Sequence, residues 1–517
     1  MVGHRRKPRA LSGLTGMPSS VRQHVRSTAL AFMRAFEIPG LAIAIVRPDG
    51  DALLETFGVR ALGEEAPVDI HTQFAIASNS KAFLAACIAM EVDRGALGWD
   101  DPVVKHLPDF RMSDPAITAM MTVRDLLVHR SGLPLGAGDL MLVRQGDFTA
   151  EQVMAALPHF VPEAGFRAGY AYDNCLYIVA GLLLERVTGV AWNDYVPERI
   201  FGPLGMTGAA PNPSLATGGN RAGRHARLGP PVIGMGPIER ITPHESDVNG
   251  PAGGIHASIA NIVPWLQAQL NKGRLLDGER LWSEAQADQM WKPQTIIASG
   301  PGPTVEAPQR AVLESYALGW GVNDYRGQRM LTHAGQLAGQ TSRIALLPDA
   351  GFGLAVFINA SASDALSALR YALLDLLLAA DPFDWLAAAN NTINGLHAQV
   401  QAMVGDGEMP VPEGVFSLSI TQYAGRYRDP WYGDIDVTHV DGALHIRFVP
   451  TAAFASPLEP FGDDAFRTRF PRGTGEDAVV HFAVADARVT GVTMQALSPL
   501  ADFSFDYQHL AFVPVTA

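Results

Sequence analysis

The sequence predicts an α/β chain of the α+β kind, an antiparallel sheet flanked by helices with a small β-barrel at its C-terminal end. Three observations carry this. The chain opens as a helix followed by a hairpin. A second strand cluster with a closing helix comes only after a long stretch of helices and loops. From Ser417 the texture changes to short strands alternating at period two.

Residues 1–16 read as a tail. Ser19 to Phe36 carries apolar residues at helical spacing (Val21, Val25, Leu30, Phe32, Met33, Phe36), and Pro39-Gly40 stops it. Leu41 to Val46 reads as a strand, Pro48-Asp49-Gly50 as a turn and Ala52 to Phe57 as the returning strand. From Ser78 to Met90 the chain is apolar, rich in Ala and Leu and free of Gly and Pro, which reads as a buried helix. Thr122 to Pro134 reads as a capped short helix running into a loop, with His129 expected to hold that loop by hydrogen bonds. Leu176 to Val187 is a long apolar helix. Residues 205–250 and 295–311 read as loops, and Ile259 to Leu270 as a further helix. Tyr316 to Val322 reads as one strand. Ser342–Leu347 and Phe352–Asn359 are strands joined by a Pro-Asp-Ala-Gly turn, and Ala362 to Leu378 is the closing helix. One sheet assembled from the two ends of residues 17–380 follows. Residues 381–416 read as a linker with a short helix and a Gly/Pro-rich patch. Residues 417–517 read as an all-β module of about 100 residues, a small barrel.

Bulk composition narrows the function classes. Net charge is −13 with no basic domain, which argues against a nucleic-acid binder. No stretch reaches the roughly 18 apolar residues of a membrane span, and the basic first nine residues lack a signal-peptide core behind them. A cytoplasmic protein without membrane partners is expected. Cys87 and Cys175 both fall on helices and read as buried free thiols. Histidines are scattered and the cysteines lack ligand spacing, so neither a metal nor a cofactor is expected.

Chemistry concentrates at Ser78-Asn79-Ser80-Lys81, the sole Ser-x-x-Lys of the chain. Three residues is nearly one helical turn, so Lys81 comes round beneath Ser78. A neutral amine there can take the serine proton, and an ammonium can stabilise the alkoxide. Of 39 Lys plus Arg, the lysines are Lys7, Lys81, Lys105, Lys272 and Lys292 alone. In a chain that prefers Arg, a Lys inside an apolar helix points to proton work that Arg cannot do. Tyr172-Asp173-Asn174 precedes a helix, where Tyr172 can present a hydroxyl and Asn174 can hydrogen-bond a substrate amide or the Lys81 amine.

With Ser78-x-x-Lys81, Tyr172-x-Asn174 and His333-Ala334-Gly335 in that order, residues 20–380 resemble the serine β-lactamase and penicillin-binding-protein superfamily. The branch is that of class C enzymes, esterases and D-aminopeptidases. The C-terminal module resembles the lipocalin-like β domain appended to many members. The resemblance implies a β-lactamase-like fold with an all-helical subdomain. It implies an acyl-enzyme on Ser78, with Lys81 and Tyr172 sharing the proton work. Asn174, His333, Gly335 and Gln336 would bind substrate, and the backbone N–H groups of Ser78 and Gln336 would form the oxyanion hole. Where β-lactamases carry Lys, this chain has His333. A histidine is largely uncharged near neutral pH and would become cationic on acidification through the imidazole range, favouring carboxylate substrates.

The expected activity is hydrolysis of small esters or amides, an esterase first. A D-aminopeptidase or other D-amino-acid amidase, an acyltransferase or thioesterase, a β-lactamase, and a non-catalytic binding protein on the same fold stand as alternatives. The expected partner is a small-molecule ester or amide, and a homo-oligomer stays open.

Overall fold

The apolar repeat after Ser19 forms an 18-residue helix, Ser19–Phe36, that buries Val21, Val25, Ala29 and Phe32. The computed structural model describes residues 19–142, 146, 148–242, 245–297, 300–405 and 411–515; the expected tail 1–16 and residues 406–410 of the expected linker lie outside them. Two units are woven from alternating parts of the chain. One holds the described residues up to Asp100 with Val187–Ala226 and Gly250–Leu396. The other holds Asp101–Arg186, Arg227–Asn249 and the chain from His397 onward.

An eight-stranded sheet forms the centre of the first unit. Its order is Ala52–Gly58, Gly40–Val46, Phe352–Ile358, Gln340–Leu347, Gln328–Leu337, Gly321–Tyr325, Glu314–Tyr316 and Thr295–Ile297. The two ends of the segment meet as expected: Leu41 pairs with Ile358 and Val46 with Gly353, antiparallel. The inner strands Gly40–Val46, Gln340–Leu347 and Phe352–Ile358 are buried at every position. The edge strand Ala52–Gly58 alternates between exposed and buried, as an edge with one covered face should. Helix Ile259–Leu270 packs on the strands Gly40–Val46 and Phe352–Ile358. Helix Ser363–Leu378 packs on Gln340–Leu347 and Phe352–Ile358. The helix Ser80–Asp93 is buried from Ser80 through Glu91, the behaviour of a segment apolar on every face.

Two expectations for this sheet are corrected. Tyr316 to Val322 is two strands, Glu314–Tyr316 and Gly321–Tyr325, which turn back on each other with Tyr316 opposite Gly321. Gly319 takes φ +76° in the turn, a conformation that costs glycine little. A side chain there would also strike the Lys81 carbonyl and Ala82. The region 295–311 begins with a strand, Thr295–Ile297, which pairs with Glu314–Tyr316.

In the second unit as far as Arg186, Cys175–Thr188 is the long apolar helix, its first turn capped where Asp173 Oδ1 accepts the Leu176 N–H at 2.9 Å. Residues 425–514 close into an eight-stranded antiparallel barrel. Its strands bury alternate residues, as in Ala443–Phe448. Aromatic rings fill the middle: Phe448 is ringed by Tyr432, Phe454, Phe470 and Phe512. Eight strands enclose an interior that side chains can fill or that can hold one small ligand.

The helix expected to be short within 381–416 runs for 20 residues, Trp385–Val404. Tertiary anchoring overrides the weak propensity of Asn390-Asn391 and Gly395. The Trp385 indole donates to Asp375 Oδ2 at 2.8 Å, and Val400 and Val404 pack with Val232, Met235 and Leu500. Both cysteines are free and buried, and burial pushes each thiol well above its ordinary range. Among the described residues no single helix is long and apolar enough to cross a membrane.

Candidate active site

Ser78 lies in a single 3₁₀ turn, Ala77–Asn79, that leads directly into the buried helix. Ala77 holds φ +51°, a left-handed conformation that costs a residue with a side chain. Such a conformation persists only where its surroundings over-determine it, and here they do. The Ile76 carbonyl accepts from Ser342 Oγ at 2.7 Å and from Asn79 Nδ2 at 3.2 Å. The Ile76 N–H donates to the Ile255 carbonyl at 2.9 Å. Ser80 Oγ donates to the Ala77 carbonyl at 2.7 Å and accepts from the Ile255 N–H at 3.1 Å. Ser80 is thereby committed to holding the turn, while Ser78 stays half-buried.

Lys81 is wholly buried. Its Nζ donates to Ser78 Oγ at 3.1 Å and to the Ala252 carbonyl at 2.8 Å. Ala252 sits in a π-helical turn, Gly250–Gly254, itself buried, so the amine is held by the fold on one side and by the serine on the other. A proton can pass between Nζ and Oγ without rearrangement at this distance.

The strand Gln328–Leu337 brings His333, Gly335 and Gln336 to the same unit. Gly335 is pressed onto the Ser78 turn. A Cβ there would fall on the Ile76 carbonyl and Ser342 Oγ and within 2.9 Å of Asn79 Nδ2. Only glycine permits this approach. Gln336 follows it, exposed, opposite Thr341.

His333 requires a correction. Its side chain is 6% exposed. Nδ1 lies 2.7 Å from the Ala334 carbonyl and Nε2 lies 2.8 Å from the Tyr316 hydroxyl. A carbonyl only accepts, so Nδ1 carries the hydrogen and, in the neutral ring, Nε2 accepts from Tyr316. Burial, reinforced by the Lys81 cation, pushes the imidazole down to about 3. The ring therefore stays neutral through the range in which the sequence reading had it becoming cationic.

Tyr172 and Asn174 belong to the second unit. The Tyr172 carbonyl accepts the Gly136 N–H at 2.9 Å, and its ring packs against His129, with centroids 4.2 Å apart. His129 holds this segment: its Nδ1 accepts the Asp173 N–H at 3.2 Å and its carbonyl accepts the Ala171 N–H at 3.0 Å. Asn174 Nδ2 donates to Asp139 Oδ2 at 2.8 Å.

Several residues escaped the sequence reading. Tyr316 holds His333, the Ala252 carbonyl holds Lys81, Ser342 holds the turn, and Asp139 holds Asn174. Each acts from a distant part of the chain, and none has a local motif. The sharpest clue for Ala252 was its place in a Gly/Pro-rich run, Pro251 to Gly254. Among the described residues no group of three or more His, Cys, Asp or Glu could hold a metal ion.

Known proteins resemble this chain in sequence and in fold. The chain is 27% identical over 501 residues to the unguisins hydrolase ungD of Aspergillus violaceofuscus, covering 88% of this chain and 84% of that protein. Its fold is similar to the octameric penicillin-binding protein homologue from Pyrococcus abyssi, with a TM-score of 0.58 and 22% identity, covering 92% of this chain and 98% of that one. It is also similar to D-amino acid amidase from Ochrobactrum anthropi SV3, with a TM-score of 0.54 and 22% identity over 72% of this chain and 99% of that one. Residues 410–514 match a domain of unknown function, DUF3471. The beta-lactamase family model matches residues 25–378, about two thirds of the chain, and the protein belongs to that family.

Proposed function

We propose that this protein is a serine hydrolase that forms an acyl-enzyme on Ser78 and hydrolyses small esters or amides, esters first. The observation that carries the reading is the 3.1 Å hydrogen bond between a buried Lys81 amine and Ser78 Oγ at a strained turn. Ser78 Oγ attacks the substrate carbonyl and gives up its proton to the Lys81 and Tyr172 pair. The backbone N–H groups of Ser78 and Gln336 receive the oxyanion of the tetrahedral intermediate. As the intermediate collapses, the bond to the leaving group breaks and the departing alcohol or amine takes the proton. Water, deprotonated by the same pair, then attacks the acyl carbonyl and releases the acid with Ser78 restored. Asn174, His333 and Gly335 shape the substrate's surroundings in this reading.

Membership of the beta-lactamase family and a relative named as a hydrolase support hydrolysis. A neutral His333 supports uncharged substrates over β-lactams, since it offers no cation to a carboxylate.

The test is mass spectrometry after incubation with an activated ester. Wild type should carry an acyl adduct on the peptide containing Ser78, and Ser78→Ala should carry none, because Ser80 is occupied in the turn. An adduct that persists in Ser78→Ala refutes the assignment. A panel of p-nitrophenyl esters, D-amino-acid amides and nitrocefin then ranks the substrate classes.

A further inference from the structure

The barrel of the second unit does not stand apart from Tyr172. Between its strands Arg488–Ala496 and Ala511–Pro514, the chain runs past the segment that carries Tyr172 and Asn174. The Phe503 ring meets the Tyr172 ring edge-on, with centroids 5.9 Å apart at 81°. Gly136, at φ +69°, admits this approach. A Cβ there would lie 2.8 Å from Phe503 Cδ2 and 2.9 Å from the Phe503 carbonyl.

The approach is fixed by hydrogen bonds on both sides of Phe503. Ser504 Oγ donates to Asp139 Oδ2 at 2.8 Å, the same oxygen that accepts from Asn174 at 2.8 Å. Buried Asp506 accepts the Gly138 N–H at 2.7 Å and the Leu140 N–H at 2.9 Å. The ring held this way is nevertheless 40% exposed, and Leu135 beside Gly136 is 47% exposed. The ring is thus packed against Tyr172 on one side and presents apolar surface to solvent on the other. Beside a tyrosine hydroxyl it offers the combination a small-molecule site needs, an apolar wall next to a polar group.

We propose that Phe503 of the C-terminal barrel is a specificity-determining residue of the active site, an aromatic wall for an apolar group on the substrate's acyl part. The proposal rests on the reading of Tyr172 as an active-site residue given above. The barrel is then part of the enzyme's substrate recognition, reaching Asn174 through Ser504 and Asp139 and the substrate through Phe503.

The experiment compares kcat/KM for p-nitrophenyl hexanoate with that for p-nitrophenyl acetate in wild type, Phe503→Ala and Phe503→Leu, with fluorophosphonate labelling of Ser78 measured on the same samples. The hexanoate-to-acetate ratio should fall about tenfold in Phe503→Ala, the usual scale for losing apolar contacts in a pocket. The loss should come chiefly through KM. Phe503→Leu, which keeps the fold and part of the wall, should recover part of the ratio. A ratio within twofold of wild type in both variants, with labelling intact, overturns the proposal. If wild type itself fails to label, the serine-hydrolase reading falls first and takes this one with it.

Discussion

Gly335→Ala isolates the dependence of the site on one close approach. The added methyl would fall inside 3.0 Å of three atoms, the Ile76 carbonyl, Ser342 Oγ and Asn79 Nδ2, where ordinary contact begins at 3.4 Å. Two of these neighbours cannot swing aside. The Ile76 carbonyl is backbone and already accepts two side-chain hydrogen bonds, and Ser342 is locked by donating one of them and accepting from Asn79 at 2.7 Å. The strand and the Ser78 turn must therefore part by on the order of 1 Å, and a misplacement of that size costs roughly 10²-fold in rate. Overpacking a buried contact costs a further ~1–3 kcal/mol of stability. The assay is the rate of fluorophosphonate labelling of Ser78 alongside thermal unfolding. Labelling should slow by about two orders of magnitude while the protein still unfolds cooperatively. Labelling at the wild-type rate would show that the turn does not depend on the strand, and the account of the site would fail.

Three more outcomes follow from named groups. Lys81→Arg should lose nearly as much turnover as Lys81→Ala, because Arg keeps the charge but cannot accept the serine proton; substantial acylation by the Arg variant would end the base role. Tyr172→Phe should lower kcat by roughly two to four orders of magnitude with the fold intact, and a loss under about tenfold would reduce Tyr172 to packing. His333 has a folded pKa of about 3 against 6.5 when free, so the unfolded chain binds the extra proton between those values. Its contribution to stability is complete above pH 6.5 and is lost as pH falls from 6.5 toward 3. Urea unfolding of wild type and His333→Gln from pH 7 to pH 4 checks this, and equal slopes would refute it.

The fold was legible wherever a pattern is local. Helices Ser19–Phe36 and Ile259–Leu270 follow their apolar spacing, and the first and last strands announce themselves as unbroken apolar runs. The sheet's far edge was harder. Tyr316 to Val322 has strand composition throughout, and its reversal depends on Gly319 pressing against the Lys81 helix, a contact between residues far apart in the chain. The long helix Trp385–Val404 was underread because its anchors, Asp375 at one end and the Val232 cluster at the other, lie outside it. The site divides in the same way. Ser78 and Lys81 are three residues apart, so helix geometry alone relates them. The partners that hold the turn, the amine and the imidazole come from Ser342, Ala252 and Tyr316, and only the fold brings them in.

The same division governs the charge on His333. Sequence supplies a residue's ordinary pKa, which for histidine sits near neutrality and suggests a titrating wall. The fold supplies the surroundings. Here they are a carbonyl on Nδ1, a tyrosine hydroxyl on Nε2, almost no solvent and an ammonium group nearby. Burial opposes protonating the ring first and the Lys81 charge second, and together they outweigh the Ala334 carbonyl, which favours it. The Lys81 amine donates to Ser78 Oγ and to the Ala252 carbonyl. On this reading an incoming substrate finds no cation at His333 to pair with a carboxylate. Its discrimination must come from shape and apolar contact, the kind that an aromatic wall such as Phe503 supplies.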